Sequence, residues 1–415
     1  MSRTEVAVVG AGLIGLAAAY HLQKAGCGVT VVDRDFDAQS ASMGNAGGIA
    51  VTEVFPASTP GVWRRIPGWL LDPLGPLAIK PGHLPRMVPW LTRFASVSRR
   101  SEVERISRAL AAINRRVYED LEPMLQELGL SHCLNHHGAL TVYESEAGYR
   151  RDGDEWACKK ANGIIVEELS GAEARNAEPA LGPLVHRAIF TPQWSHLNDP
   201  KDLVISLRRV LDQRRVQLVR DEVLDVESPA STVLLHLRKI ATLKADYAVI
   251  AAGVWSKTLA HRMGDRVLLE SERGYNMTLP KPGISVRHQL IFAERKFVAT
   301  PLTCGLRVGG AAEFGGLHAE ANFRRSRALV ALAQRYLPAM NVAEGTSWAG
   351  HRPTTPDSLP VLGPASRDAR VLYAFGHGHL GLTQAATTGR LIADLILRRT
   401  PPIDMTPYAV SRFRG

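Results

Sequence analysis

The apolar and polar positions of this chain change period several times, and each change marks an element. An apolar run at 5–9 meets glycines at 10, 12 and 15, and a second apolar run ends at Asp33, the pattern of strand, helix and strand. Small residues and glycines fill 40–51 behind a short helix, and eight prolines between 55 and 90 forbid a long helix there. From Ser101 to about Gly129, apolar side chains recur at 103, 106, 110, 113, 117, 121 and 125, a spacing that predicts one long amphipathic helix. A strand is expected at 138–144. Ser170 and Glu173 have capping-box spacing, and Asn198-Asp199-Pro200 opens a helix to about Arg214. Runs at 216–226 and 233–238 read as strands, 245–256 as a buried strand, 270–310 as further strands and 323–336 as a helix. A last strand from 371 ends in a Gly/His loop leading directly into a helix, and no uncharged run reaches bilayer-spanning length.

The N-terminal unit has the form of a dinucleotide site. Gly10 permits the tight turn, Gly12 lets backbone approach a pyrophosphate, and Gly15 lets the helix pack on the sheet. Leu13 and Ile14 open that helix, whose free N–H groups face the phosphates. Asp33, followed by Arg34, can accept from both ribose hydroxyls and would repel a 2′-phosphate, which selects NAD or FAD over NADP. Ser42, Asn45, Ala46, Gly47 and Gly48 suit backbone passing close to a flat ligand.

A chain of 415 residues with 45% hydrophobic composition buries a large core and suggests two domains. The 50 Lys and Arg against 40 Asp and Glu leave a formal charge of +10, which favours anionic partners or is simply a basic surface. Cysteines at 27, 133, 158 and 304 show neither metal spacing nor a disulfide framework, so the expected setting is a reducing cytoplasm with no metal. Glu5 and the nucleotide pattern argue against reading the N-terminal apolar run as a secretory signal.

Three later segments favour FAD over NAD. The strand at 245–256 ends in Ala251, Ala252 and Gly253, with Trp255 beyond, where missing side chains admit a cofactor. WAGHRPTTPDSLPVLGP, 348–364, holds Arg352, and a guanidinium there can grip a planar carboxylate bidentately, a structural salt bridge being its plainer role. The strand-to-helix junction in 371–396 supplies a second helix N-terminus, suited to the negative charge of a reduced flavin. With β-rich material at 138–144 and 270–310 divided by α/β material, the expected fold is α/β. It comprises a FAD-binding Rossmann-like domain (1–53, 148–260, 346–415) interleaved with an α+β substrate domain (54–147, 261–345) on a mostly antiparallel sheet.

VVGAGLIGLAAAYHL, SMGNAGGI, AAGVWS, GHRPTTPDSLPVLGP and GHGHLGLTQAATTGRLIADLI resemble the D-amino acid dehydrogenase branch of the glycine oxidase and D-amino acid oxidase flavoprotein family. The resemblance runs through nearly the whole chain. It implies non-covalent FAD, Arg352 on the substrate carboxylate, Val223 at the adenine, Tyr275 beside the substrate, and flavin contacts around Gly350 and from Gly378, His379, Leu380, Gly381, Leu382 and Thr383. Asp33 stands where many relatives have Glu, and His379 where several have a small hydroxyl residue. His379 can donate to flavin or substrate or take the amine proton, and a backbone-satisfied histidine is the plainer reading; Tyr275 in a strand can equally be packing.

The implied activity is oxidation of a D-amino acid, or a cyclic one of D-proline or D-hydroxyproline type, by hydride transfer from the α-carbon to flavin N5, giving an imine or keto acid. The alternatives are an oxygen-using amino acid oxidase of the same fold, or a FAD enzyme acting on modified nucleosides in tRNA. The positive residues form no stripe with stacking aromatics, so nucleic acid is not expected. Trp63, Trp69 and Trp90 with the arginines of 55–93 suit peripheral binding at the cytoplasmic face of the inner membrane and a quinone or electron-transfer partner, a lid over the site being the alternative.

Overall fold

The computed structural model describes residues 3–37, 40–62, 66, 68, 70, 75–229 and 231–414. Trp63, Arg64, Arg65 and Trp69 lie outside the described residues.

One sheet has six strands in the order Gln217–Arg220, Gly28–Asp33, Glu5–Val9, Tyr247–Ile250, Val371–Phe375 and Val361–Pro364. The first five run parallel and the last is antiparallel. Strands covered on both faces read as unbroken apolar runs, which is why Val6–Val9 and Val371–Phe375 are buried throughout. Helices Leu13–Lys24 and Gly381–Ile396 pack against one another on one face. A second, nine-stranded sheet is mostly antiparallel, and near one edge of it Glu270–Leu279 lies between Thr346–Thr354 and Gly305–Phe314.

Sheet membership crosses the boundaries expected from sequence. Thr346–Thr354, Glu167–Ser170 and Arg187–Thr191 all belong to the second sheet, while apolar residues of the 100–127 helices join the core beneath the first. The run 216–226 is two strands in different sheets, Gln217–Arg220 and Val223–Glu227, divided at Asp221, whose carboxylate accepts from the Lys239 and Ile240 backbone. Among the described residues, the short helix expected ahead of residue 40 is a turn.

The long helix expected over 101–129 is two, Arg100–Asn114 and Val117–Glu127. Buried Asn114 donates to the carbonyls of Val51 and Glu53 at 3.3 and 3.1 Å and accepts from Gln384 at 2.9 Å. These bonds tie the break to the core, and the second helix packs on Gly381–Ile396. The apolar period runs on through Val117, so spacing alone carries no sign of the turn.

The proline-rich segment holds a thirteen-residue helix, Leu84–Ser96. Pro85 sits in the first turn, where no N–H is needed. Pro89 forfeits one bond, outweighed by burial of Met87, Trp90 and Phe94 on one face.

Two of the three N-terminal glycines are required by the packing of the fold itself. Gly10 has φ +109° and a Cβ there would lie 2.5 Å from the Ala251 carbonyl oxygen, while a Cβ on Gly15 would overlap the Gly10 carbonyl. A Cβ on Gly12 would meet only Ser42 Oγ, at 3.4 Å. Gly15→Ala is therefore expected to lower the thermal unfolding midpoint of the nucleotide-stripped protein, at a cost of about 1–3 kcal/mol. Gly12→Ala should stay within about 0.5 kcal/mol of the parent while weakening nucleotide binding; equal midpoints for the two variants would contradict this division.

Candidate active site

A cavity of about 1490 Å3 opens at the carboxyl ends of the parallel strands and continues to the second sheet, the position expected of a ligand crevice in an α/β fold. At its nucleotide end, Asp33 accepts from the Ala11 N–H at 2.6 Å and the Asp35 N–H at 2.9 Å. The carboxylate thus holds the glycine turn and keeps a second lone pair on each oxygen. Ser42 Oγ accepts from the Leu13 N–H at 3.0 Å, capping the helix that Gly12 opens. The Arg34 guanidinium lies 3.9 Å from the Trp255 ring centroid, and Val223, Ala251, Ala252 and Gly253 line the same cavity, as do Ile14, Ala46 and Gly48.

Other expected cofactor residues act from behind the wall. Gly15, Gly47, Leu380 and Thr383 do not line the cavity, whereas Gly378, His379, Gly381 and Leu382 do. Thr383 Oγ1 accepts from the Ala50 N–H at 2.9 Å, fastening the last long helix to the loop after Gly48. Asn45 Oδ1 accepts from the Gly47 N–H at 2.8 Å and so shapes the turn. A Cβ on Gly350 would overlap the Trp348 ring; Trp348 lines the cavity, and its buried indole N–H has no partner among the described residues. A free donor in such a wall, a glycine-lined helix N-terminus for a pyrophosphate and Asp33 for a ribose together fit FAD.

Farther along, the chemistry concentrates on one face of the second sheet. Arg352 lies directly across from Glu272 on the neighbouring strand, with Nη1 donating to Oε1 at 2.7 Å, and Thr354 Oγ1 donates to the other carboxylate oxygen at 3.0 Å. The guanidinium lies over Gly274, where a Cβ would come within 2.5 Å of Cζ. It is still 28% exposed and lines the cavity.

His379 joins this group. Burial lowers its pKa, the charges of Glu53 and Glu272 oppose that shift, and Arg352 and Lys159 reinforce it. The residue is exposed and lines the cavity. His377 differs: it is buried, bonded through Nε2 to Thr388 at 2.9 Å, and pushed down to about 3 by burial. His351 points to the opposite sheet face from Arg352, with Nδ1 2.6 Å from Ser271 Oγ.

Tyr275 is not placed beside Arg352. Successive strand residues face opposite sides, and Tyr275 has the opposite parity to Glu272 and Gly274. Its hydroxyl donates to Glu313 at 3.1 Å and accepts from the Asn322 N–H at 3.0 Å. Burial raises its pKa, and the residue is packed and bonded within its strand while also lining the cavity. Trp90 is 6% exposed and donates to the Thr354 carbonyl at 3.2 Å, so it is part of the cavity wall and not a surface anchor.

Glu272, Thr354, Gly274 and Glu53 escaped sequence reasoning. The first three lie in or across from the segments around Arg352, and only strand register could have joined them. Glu53 accepts from Lys159 Nζ at 2.9 Å, and Glu155 takes the same ammonium. Burial alone would lower the Lys159 pKa, and the two carboxylates hold it above the ordinary lysine value.

Comparison with known proteins agrees with this geometry. A D-amino-acid oxidase of Bradyrhizobium diazoefficiens is 32% identical over 418 residues, covering 98% of both chains. D-amino acid dehydrogenase 2 of Ralstonia nicotianae is 31% identical, covering 98% of this chain and 100% of that one. Among solved structures, glycine oxidase from Geobacillus kaustophilus has the same fold with a TM-score of 0.73, at 23% identity and 99% coverage of both chains. L-proline dehydrogenase from P. horikoshii gives 0.74 at 18% identity, covering 100% of this chain and 98% of that one. The family description FAD dependent oxidoreductase matches residues 5–395, and with fold and cavity in accord the chain belongs to that FAD-binding family.

Proposed function

We propose that this protein oxidises a D-amino acid, open-chain or of the cyclic D-proline or D-hydroxyproline type. The observation that carries the reading is the Arg352 guanidinium, seated over Gly274 on the cavity wall and held by Glu272, with a histidine of lowered pKa lining the same cavity. Arg352 binds the substrate carboxylate and fixes its plane. His379 takes the proton from the substrate ammonium, freeing the nitrogen lone pair that an imine needs. Bound FAD supplies the hydride acceptor at N5. The enclosing walls orient the α-carbon and exclude water until the imine leaves and hydrolyses. The D configuration is supported by the two curated relatives, whose names state it.

A quinone reached from the membrane surface is the proposed acceptor. Val88, 54% exposed and absent from the cavity lining, supplies apolar contact on the outer side of the helix Leu84–Ser96. Among the described residues, no helix is long and apolar enough to cross a membrane.

Anaerobic mixing with D- and L-amino acids, both prolines and the hydroxyprolines included, should bleach the flavin absorbance with a D-amino acid and not with its L enantiomer. Reoxidation by a soluble quinone and not by oxygen identifies the dehydrogenase; a yellow protein bleached by no amino acid overturns the proposal. Arg352→Ala should retain FAD and lose about 10- to 100-fold in kcat/KM, the worth of a charge-assisted pair, and unchanged kinetics would remove Arg352 from the site. Because its pKa is lowered from 6.5, His379 stays in the base form at pH 7 and loses it only as the pH falls further. The acid limb of kcat/KM should therefore lie below pH 6.5 and vanish, with a reduced plateau, in His379→Asn; persistence of the limb would assign it elsewhere.

A further inference from the structure

We propose that the apolar arm of the cavity is the side-chain pocket of the substrate. The site would then favour a D-amino acid with a large apolar side chain, of the phenylalanine or leucine class, over alanine, proline and charged residues. This rests on the amino acid reading of Arg352.

The strand register supplies the first argument. Arg352 lies opposite Glu272, Glu272 opposite Phe314, and Phe314 opposite Ile79. Residues directly opposite one another share a sheet face, so this row runs from a charged end to an apolar end. Two positions along, the parallel row is Gly350, Gly274, Ala312 and Leu77. The guanidinium lies over Gly274, and the next position holds only the methyl group of Ala312. A carboxylate gripped by Arg352 therefore has a low floor beside it that leads toward Leu77 and Phe314.

The roof supplies the second. The helix Leu84–Ser96 turns Met87, Trp90 and Phe94 inward at spacings of three and four. The Trp90 ring centroid is 5.1 Å from that of Phe94 and 5.5 Å from that of Phe314. The bond from Trp90 Nε1 to the Thr354 carbonyl fixes this roof two residues beyond Arg352, about 7 Å along the strand. That is the span from the carboxylate to the far edge of a large side chain.

The third argument is chemical. Between Phe55 and Phe94, every described residue lining the cavity is uncharged, and Thr59 alone adds a hydroxyl. An ionised side chain laid against Leu77, Ile79, Met87, Trp90 and Phe94 would exchange water for apolar contact, which is unfavourable. A small side chain would leave the arm unfilled.

The test is steady-state kcat/KM with a soluble dye acceptor for D-phenylalanine, D-leucine, D-alanine, D-proline, D-lysine and D-aspartate. D-phenylalanine or D-leucine should exceed the other four by at least about tenfold, the scale on which apolar pockets discriminate side-chain size. Ala312→Leu, which fills the floor, should lower the D-phenylalanine to D-alanine ratio by at least about tenfold while the bound-flavin spectrum stays unchanged. Should that variant fail to fold, the parent protein serves: 3-phenylpropionate should perturb the flavin spectrum at a Kd at least about tenfold below that of propionate. Turnover of D-alanine, D-proline or D-lysine as fast as D-phenylalanine would overturn the pocket and leave the amino acid reading standing. So would a higher KM for a short-chain quinone in Ala312→Leu at an unchanged substrate ratio, which would give the arm to the acceptor. Turnover of no amino acid at all would instead overturn the amino acid reading beneath it.

Discussion

A guanidinium on the wall of an apolar cavity needs both a counter-charge and a clear seat, and one stretch of strand pairing provides them together. Glu272 neutralises Arg352 from the adjacent strand, and Gly274, with no side chain, leaves the space over which the group lies. A slip of one residue would send both to the other face. The partner strand contributes a bulge: Gly274 lies opposite Ala312 and Tyr275 opposite Gly310, leaving Ala311 unpaired with φ +53°. The extra residue re-aims the strand, so that Phe314 and Ala312 come onto the face that carries Glu272 and Gly274. The polar end and the apolar end of the cavity floor are thus set by the same register.

Charge around His379 is balanced by a second arrangement. Lys159 is fully enclosed between Glu53 and Glu155, and Glu53 is held in place through its backbone carbonyl by Asn114. Asn114 in turn accepts from Gln384 on the last long helix, three residues beyond Gly381. The helix that presents the Gly/His loop therefore also positions the carboxylate that acts on His379, and two buried amides link them.

The nucleotide half of the fold was legible because its information is local. Gly10, Gly12, Gly15 and Asp33 lie within one strand, helix and strand, and buried parallel strands announce themselves as apolar runs. The expected strands at 138–144 and 270–310, the helix at 323–336 and the Ser170–Glu173 capping box were legible for the same reason. What escaped depends on partners far away in the chain. Tyr275 faces away from Arg352 through the parity of a strand whose start lies five residues earlier. The break after Asn114 answers to carbonyls at 51 and 53. Trp90 read as an interface anchor by composition, yet Phe314 and the Thr354 carbonyl claim it for the interior. Thr383 Oγ1 accepts from the Ala50 N–H, a partner that no local pattern names.

That last bond joins positions 333 residues apart, and the strand leading into its helix pairs with Tyr247–Ile250 inside the parallel sheet. Non-local pairing of this kind is slow to form, because loop closure precedes the contacts that reward it. During synthesis the glycine turn emerges long before residues near 383, and its cavity has no far wall until those have left the ribosome. Cofactor capture is therefore a late event in the life of the chain. For most of its elongation the nascent protein must keep its apolar cavity-lining residues from other partners without the ligand they are shaped to enclose.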